Sequence, residues 1–167
     1  MTMAVHEHKA HAPAHVTCGV ITISDTRTEA TDESGQLVRT LLSGAGHEVA
    51  MYTIVKDEAP AILAAVDRAT AKCDVVVTNG GTGLSPRDVT IETLAPRMDK
   101  TLPGFGELFR MLSYQEIVSA AMMSRALAGT YRGRLLFCLP GSPEACALAM
   151  KALIVPELGH AVGVMRR

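Results

Sequence analysis

Residues 75–88, VVVTNGGTGLSPRD, combine a strand pattern with a glycine-rich turn and lie at the centre of the predicted fold. The three consecutive valines are apolar and β-branched, a pattern typical of a central parallel strand that is buried on both faces. Gly80, Gly81 and Gly83 allow a sharp turn and a close approach of the backbone to a ligand, because no Cβ atom stands in the way. A helix is predicted from Thr90, and its N-terminus carries unpaired N–H donors and partial positive charge. A strand, a glycine turn and a helix start together predict an anion-binding site.

Neither standard nucleotide-binding motif is present in this stretch. The P-loop needs a lysine directly after its last glycine, and no lysine follows here. The dinucleotide motif G-x-G-x-x-G fails because Pro86 stands where the third glycine belongs. A tight turn between a strand and a helix, without any ligand, is the alternative interpretation of these glycines. The basic and acidic residues that follow them, Arg87 and Asp88, favour a functional loop.

Strand and helix patterns alternate on both sides of the glycine loop. Besides the strand before that loop, strands are predicted over residues 16–23, 49–55, 125–131 and 134–139, the last two forming a hairpin around Arg132 and Gly133. Helices are predicted between Asp32 and Gly46, from Pro60 to Ala69, over 90–98, 107–117 and 143–152, and in a last stretch interrupted by Pro156 and Gly159. This order predicts an open, mainly parallel sheet, to which the hairpin adds an antiparallel strand.

One helix carries a more detailed prediction. Residues 102–107 contain a proline and two glycines, and a break is predicted there. In the helix that follows, Leu108, Met111 and Leu112 share one face, and this face is expected to be buried.

Length and composition predict one compact domain over residues 16–167. The chain has 167 residues and is 48% hydrophobic, which is enough for a core without disulfides or metals. Residues 1–15 have no periodicity and contain four histidines, so a disordered, His-rich tail without a catalytic role is predicted. A formal net charge of −1 argues against nucleic-acid binding by bulk electrostatics.

Localisation follows from what the sequence contains. No apolar run approaches the 18 residues of a membrane span, and the N-terminus does not have the pattern of a signal peptide. The four cysteines stand among apolar neighbours without a C-x-x-C pair, which is typical of reduced core residues. A cytoplasmic protein that binds no membrane is predicted.

Polar residues follow the predicted strands at the points where they end. Because the carboxyl ends of parallel strands meet at one edge of a sheet, these residues are expected to lie together. They are Ser24, Asp25 and Thr26, then Asp57, then the glycine loop with Asp88, and finally Pro140, Gly141 and Ser142.

This combination of residues indicates a class of chemistry. Glycine turns favour phosphate, whereas carboxylates repel it, and both can serve when Mg²⁺ bridges them. The edge is therefore typical of phosphoryl or nucleotidyl transfer. Simple capping of the following helices is the alternative role for Asp25, Asp57 and Asp88. Three arginines, Arg27, Arg87 and Arg125, either neutralise phosphate or lie solvated on the surface.

Five motifs resemble those of the MoaB/MogA family of molybdenum cofactor biosynthesis proteins, which is related to the G domain of gephyrin. They are GVITISDTRT (19–28), TNGGTGLSPRDVT (78–90), LPGFGELFRMLS (102–113), MMSRALAG (122–129) and LPGSPEA (139–145). The SDTRT start and the PGFGELFRMLS segment are similar to the MoaB branch in particular. The resemblance implies a three-layer α/β/α fold, a homotrimer or homohexamer, and binding of molybdopterin.

The resemblance also implies an activity and a set of site residues. Active members use Mg²⁺ and ATP to attach AMP to the terminal phosphate of molybdopterin, with release of pyrophosphate. Carried over by motif, the catalytic and Mg²⁺-binding residues are Asp57 and Asp88. The implied substrate-binding residues are Ser24, Asp25, Thr26, Gly80, Gly81, Thr82, Gly83, Glu107, Ser124, Pro140, Gly141 and Ser142.

Two other functions compete with adenylyltransferase activity. A non-catalytic carrier or scaffold of the same pathway needs the glycine turns but no Mg²⁺-binding aspartates. Some MoaB-like members lack the aspartate of the glycine loop, whereas this chain retains Asp88, which favours the enzyme. A phosphotransferase acting on another substrate is the third possibility, and it needs a basic nucleotide cradle that the sequence does not show.

Overall fold

The structure is a computed structural model that describes residues 12–167. Most of the tail predicted to be disordered therefore lies outside the described residues. The described chain forms six strands: β1 (Thr17–Ile23), β2 (Glu48–Val55), β3 (Val75–Asn79), β4 (Lys100–Thr101), β5 (Leu127–Tyr131) and β6 (Arg134–Leu139). Its α-helices are α1 (Glu33–Gly44), α2 (Ala59–Thr70), α3 (Thr90–Leu94), α4 (Pro103–Ile117), α5 (Pro143–Ala149) and α6 (Val155–Met165).

The strands form a single sheet in the order β2-β1-β3-β6-β5-β4. The first four of these strands are parallel, and β5 runs antiparallel to both of its neighbours. The hairpin is confirmed, because β5 and β6 are joined by Arg132 and Gly133 with φ angles of 50° and 68°. Two residues with positive φ form the turn that matches the twist of a hairpin. The two-residue strand β4 was not predicted, since it is too short to show a pattern.

Helices cover both faces of the sheet, each over its own hydrophobic cluster. On one face, α1, α4, α5 and α6 pack against β1, β3 and β6, with Val38, Phe109 and Ile154 in the cluster. On the other face, α2 and α3 pack against the same strands, with Ile62 and Leu94 buried. The fold is therefore the three-layer α/β/α architecture that the resemblance implied.

The predictions for α4 were wrong in two respects. The helix begins at Pro103, so residues 103–107 are its first turns rather than a break. Proline is tolerated there because a first-turn residue has no helical acceptor for its N–H. The buried face carries Phe105, Gly106, Phe109 and Ser113. The residues predicted to be buried include Leu108 and Met111, which are 47% and 53% exposed. Because apolar residues stand on both sides of α4, the sequence does not show which side of the helix is buried.

The C-terminal helix runs from Pro143 to Met165 without the predicted interruption. A π-helical turn, Met150–Ile154, precedes Pro156 and takes up the backbone irregularity that a proline inside a helix requires. By length and composition alone this helix is apolar enough to cross a membrane, which is weak support for a span. Its residues Met150, Ile154 and Leu158 are buried in the cluster shared with β1 and β6, as in the core helix of a globular domain.

Register aligns the ends of the four parallel strands. Ile23 at the end of β1 pairs with Val55, and Asn79 at the end of β3 pairs with Thr22 and Leu139. The loops that leave β1, β2, β3 and β6 therefore start at one edge of the sheet, as predicted.

Candidate active site

A cavity of about 520 Å³ opens at this edge of the sheet. Its volume is in the range of sites for small molecules and cofactors. Its lining includes eleven of the residues assigned to the site from the sequence: Ser24, Asp57, Gly80, Gly81, Thr82, Gly83, Asp88, Ser124, Pro140, Gly141 and Ser142.

The glycine loop after β3 has a backbone that only glycine adopts readily. Gly80 and Gly81 have φ angles of 99° and 66°. A Cβ atom on Gly80 would overlap the carbonyl oxygen of Ile23, and one on Gly81 would overlap Oγ1 of Thr90 and lie 2.8 Å from Asp57 Oδ1. The two glycines therefore bring the loop directly against the end of β1 and against the carboxylate of Asp57.

Hydrogen bonds account for every carbonyl oxygen of this loop. Thr90 donates from Oγ1 to Gly80 O and from its backbone N–H to Gly81 O, each at 3.0 Å. Arg125 donates to Thr82 O at 3.0 Å and to Gly83 O at 2.7 Å. In contrast, no described residue accepts a hydrogen bond from the N–H groups of Gly81, Thr82 and Gly83. The loop thus offers three backbone donors for an anion.

A second glycine turn, after β6, faces the first. A Cβ atom on Gly141 would lie 3.4 Å from Gly80 Cα, so the two turns are in contact distance of each other. Ser34 Oγ donates to Gly141 O at 2.6 Å and fixes the second turn to the start of α1. Ser142 caps α5, because its Oγ accepts a hydrogen bond from the N–H of Ala145.

Asp57 differs from the other carboxylates assigned to the site because one of its oxygens, Oδ1, is buried and has no hydrogen-bond partner among the described residues. Burial, followed by repulsion from Asp25 and Asp88, raises the pKa of Asp57 above its ordinary value. A buried, partnerless carboxylate oxygen close to other carboxylates is stabilised by a bound cation.

Within the described residues, no three His, Cys, Asp or Glu side chains are placed to hold a metal ion by themselves. Mg²⁺ does not need such a cluster when a phosphorylated substrate is bound, since one or two carboxylates and the phosphate oxygens suffice. Asp57 and Asp88 fit that donor set. Asp88 Oδ2 accepts a hydrogen bond from the N–H of Ser85, which fixes the carboxylate beside the glycine loop.

Three residues assigned to the site from the sequence do not line the cavity. Asp25 forms a two-point ion pair with Arg87 (2.6 and 3.0 Å), and this pairing lowers the pKa of Asp25. Thr26 is exposed, and its N–H donates to Ser24 Oγ. Glu107 is exposed on α4. The structure thus brings Ser24 to the cavity and leaves these three residues outside its lining.

The three arginines have different environments. Arg87 is paired with Asp25, and Arg125 is paired with Glu92 in addition to its bonds to the glycine loop. Arg27 lines the cavity and donates to the carbonyl oxygen of Thr31 at 2.7 Å. Among the described residues Arg27 has no carboxylate partner, so its charge is available to an anionic ligand.

The sequence did not reveal one wall of the cavity. Residues of α4 and of the turn after it belong to the lining; they are Phe109, Ser113, Ile117, Ala120 and Met123. Phe109 and Ser113 lie one helical turn apart on the buried face of α4, so a correct prediction of that face would have identified both residues. The lining thus combines polar residues from the strand ends with largely apolar residues from α4 and the turn after it.

A buried polar network in the wall of the cavity was also missed: its residues Thr22, Asp32 and Asn79 belong to the lining. Asp32 stands at the predicted start of α1 and caps that helix, because its Oδ1 atom accepts a hydrogen bond from the N–H of Gly35. Its Oδ2 atom accepts further hydrogen bonds from Thr22 and Tyr52, both at 2.6 Å, and Asn79 donates to Thr22 Oγ1. This network fixes the ends of β1 and β3 relative to α1.

The fold and the cavity are those of a three-layer α/β protein with two glycine turns and a cavity at the carboxyl edge of its sheet. The family described as "Probable molybdopterin binding domain" matches residues 19–160, and the chain belongs to that family. It is 55% identical over 161 residues to Molybdenum cofactor biosynthesis protein B of Bacillus cereus, covering 95% of each chain. The protein of the same name in Bacillus subtilis is 53% identical, with 99% of each chain covered.

Solved structures agree with this assignment. A crystal structure of Molybdenum cofactor biosynthesis protein B is 54% identical and superimposes with a TM-score of 0.90, covering 93% of this chain and 99% of the other. The tungsten cofactor synthesizing protein MoaB from Pyrococcus furiosus is 41% identical with a TM-score of 0.85, covering 93% of this chain and 100% of the other. The resemblance to MoaB proteins inferred from the motifs is thus confirmed.

Proposed function

We propose that this protein works in molybdenum cofactor biosynthesis as a molybdopterin adenylyltransferase. It binds molybdopterin and, with Mg²⁺ and ATP, transfers AMP to the terminal phosphate of molybdopterin and releases pyrophosphate. One observation carries the proposal: the glycine loop has three N–H groups without an acceptor among the described residues, and its Gly81 lies against the partnerless buried oxygen of Asp57. Donors for phosphate and a ligand for a divalent cation are both needed to bring two phosphorylated substrates together.

The reaction requires little covalent work from the chain. An oxygen of the molybdopterin phosphate attacks the α-phosphorus of ATP, the bond from that phosphorus to the bridging oxygen breaks, and pyrophosphate leaves with the electron pair. The glycine-loop amides hold phosphate oxygens, and Asp57 and Asp88 hold Mg²⁺, which when bound neutralises phosphate charge. Positioning and charge stabilisation of this kind supply most of the rate in phosphoryl-type transfers. The apolar wall of α4 is suited to a ring system.

Arg27 is expected to contact the phosphates. Replacing Arg27 with alanine should raise the KM for ATP about tenfold, since a hydrogen bond to a charged group contributes roughly 1.5–3 kcal/mol. Steady-state kinetics at fixed molybdopterin concentration measure this change. Arg68→Ala is the matched control, because Arg68 is an exposed arginine on α2 that does not line the cavity. An unchanged KM in Arg27→Ala, or an equal change in the control, would contradict this role.

The exposed face of α4 supports assembly into a homotrimer or homohexamer. Large apolar side chains cluster there and in the turn that follows, and they are between 47% and 82% exposed: Leu108, Met111, Tyr114, Ile117, Val118, Met122 and Met123. Contiguous exposed apolar surface of this kind marks interaction sites. We expect light scattering after size exclusion to give a trimeric or hexameric mass, and Met111→Glu to give a smaller species.

Val164→Glu is the control for the assembly experiment. Val164 is a similarly exposed apolar residue, at 51%, but lies on α6. A monomeric wild-type protein, or disruption by both substitutions alike, would count against the α4 face as the interface.

The enzymatic proposal is tested by pyrophosphate release from ATP. Release should require both molybdopterin and Mg²⁺. A carrier or scaffold would bind molybdopterin without releasing pyrophosphate. The four cysteines are free and buried, which supports the further proposal that the protein works in the reducing cytoplasm.

A further inference from the structure

We propose that Arg125, held in turn by Glu92, is a positioning residue that fixes the glycine loop Gly80–Gly83 in its anion-binding conformation. The inference rests on the proposed function of this loop as a phosphate site. In this role Arg125 acts on phosphate binding by holding the loop in place and does not itself contact phosphate.

The contacts of the Arg125 side chain define this role. Nε donates to Thr82 O at 3.0 Å, and Nη2 donates to Gly83 O at 2.7 Å. Nη1 donates to Glu92 Oε1, and Nη2 also reaches Glu92 Oε2 at 3.3 Å. One guanidinium group therefore joins two consecutive loop carbonyls to a carboxylate on α3.

Peptide orientation decides whether the loop attracts or repels an anion. Glycine places little restriction on its backbone, so the peptides around Gly81 and Gly83 can rotate at low cost unless their carbonyl groups are held. Rotation would turn a carbonyl oxygen to where an N–H now lies, and a donor would become an acceptor. Thr90 holds the first two carbonyls, and Arg125 holds the last two. Arg125 is therefore what holds Thr82 and Gly83 in place.

The charge of Arg125 is already balanced. Its pairing with Glu92 lowers the pKa of that carboxyl group, so Glu92 remains ionised. An arginine that is engaged by a carboxylate and by two carbonyls has few donors left for a substrate. This distinguishes Arg125 from Arg27.

The backbone that carries Arg125 is itself anchored to α4. Arg110 donates from Nη1 to Ala126 O at 3.1 Å and to Ser124 O at 3.4 Å, on both sides of Arg125. Gly106 leaves the room for this contact, because a Cβ atom there would lie 2.7 Å from the Arg110 guanidinium and 2.9 Å from Ala126 O. Two arginines in series thus connect the apolar wall of the cavity to its anion-binding loop.

Lysine cannot replace arginine at this position. Its ammonium group is a single point, whereas the planar guanidinium presents several donors in a fixed arrangement. The test therefore compares Arg125→Lys, which keeps the charge, and Glu92→Gln, which leaves Arg125 in place, with Arg132→Lys as control. Arg132 forms an ion pair with Asp67 (3.4 Å) and does not line the cavity.

The first readout does not depend on activity. Amide hydrogen exchange, resolved by residue, follows the N–H groups of Gly80 and Thr90, which donate to Leu139 O and Gly81 O on either side of the segment that Arg125 holds. When that segment is released, these two hydrogen bonds are expected to open more often. Exchange at these two amides should be about tenfold faster or more in Arg125→Lys and Glu92→Gln, with the core strands unaffected. Unchanged exchange in both variants would overturn the proposal.

The second readout separates positioning from general stability. Well below the unfolding temperature, kcat/KM for AMP transfer should fall about 10²-fold in Arg125→Lys, as expected when reacting groups are misplaced, and should be unchanged in Arg132→Lys. Faster exchange combined with a wild-type kcat/KM would overturn the role of Arg125 in catalysis. If the wild-type protein transfers no AMP, the proposed function fails, and the exchange measurement alone then decides whether Arg125 fixes the loop.

Discussion

Asp57→Asn is expected to lower the rate of AMP transfer by roughly 10²–10³-fold while molybdopterin binding is largely kept, since electrostatic groups act mainly on the transition state. The substitution removes the buried negative charge that would hold Mg²⁺ but preserves the shape of the side chain. Single-turnover transfer and equilibrium binding of molybdopterin measure the two effects separately. Glu58→Gln is the matched control, because it removes the same charge from the neighbouring residue, which does not line the cavity.

The same substitution should make the folded protein more stable at neutral pH. Burial and repulsion from Asp25 and Asp88 raise the pKa of Asp57 in the folded state. The ionised carboxylate therefore destabilises the folded state above the ordinary pKa of aspartate, and this effect disappears at lower pH, where both states bind the proton. Urea unfolding should show Asp57→Asn to be more stable than wild type at pH 7, with the difference shrinking as the pH falls.

The raised pKa of Asp57 also predicts how AMP transfer depends on pH at the acid end of the pH range. A proton competes with Mg²⁺ for Asp57, so kcat/KM for AMP transfer at limiting Mg²⁺ should decline at a pH above the ordinary pKa of aspartate as the pH is lowered. Equal losses of molybdopterin binding and turnover in Asp57→Asn would contradict a role in holding the cation, and a lower stability at pH 7 would contradict the raised pKa of Asp57.

Gly80→Ala is expected to destroy the anion-binding loop. A non-glycine residue at a φ of 99° is strained, and the new Cβ atom would overlap the carbonyl oxygen of Ile23. We expect a loss of about 3 kcal/mol or more in the free energy of unfolding, because steric overlap with the backbone adds to a conformational strain of roughly 1–2 kcal/mol. Binding of molybdopterin and of ATP should both become undetectable. Urea unfolding and calorimetric titration measure these effects.

Gly133→Ala is the control that separates the effect of backbone strain from the effect of steric overlap. Gly133 also has a positive φ, 68°, but nothing lies within 4 Å of a Cβ atom placed there. This variant should therefore lose only about 1–2 kcal/mol and keep full ligand binding. If the two alanine variants lost the same stability and bound ligands equally well, the close approach of Gly80 to β1 would not matter for the site.

The order of elements could be predicted because each central strand is a short apolar run followed by turn residues. Gly46, with a φ of 86°, does end α1, and the Arg132–Gly133 turn does make the hairpin. The phase of α4 could not be predicted, because exposed apolar residues such as Met111 and buried ones such as Phe109 alternate around the helix. A sequence does not distinguish a face that packs on the core from an apolar face left open in a single chain.

The site could be predicted in outline from the rule that ligands bind at the carboxyl ends of parallel strands. The pairing of side chains that lie far apart in the sequence could not be predicted. Arg87 takes Asp25 into an ion pair 62 residues away, and Arg125 contacts the glycine loop from more than 40 residues away. Nothing in the sequence distinguishes an arginine that pairs with a carboxylate from one that does not. Only the structure shows that Arg27, among the described residues, has no carboxylate partner.

The most direct test of the central claim is single-turnover transfer of AMP from ATP labelled at the α-phosphate to molybdopterin, with Mg²⁺ and with EDTA. We expect labelled, adenylylated molybdopterin in the presence of Mg²⁺ and none with EDTA. Tight molybdopterin binding with no labelled product under either condition would contradict it, and would make the protein a carrier whose Asp57 and Asp88 have no catalytic role.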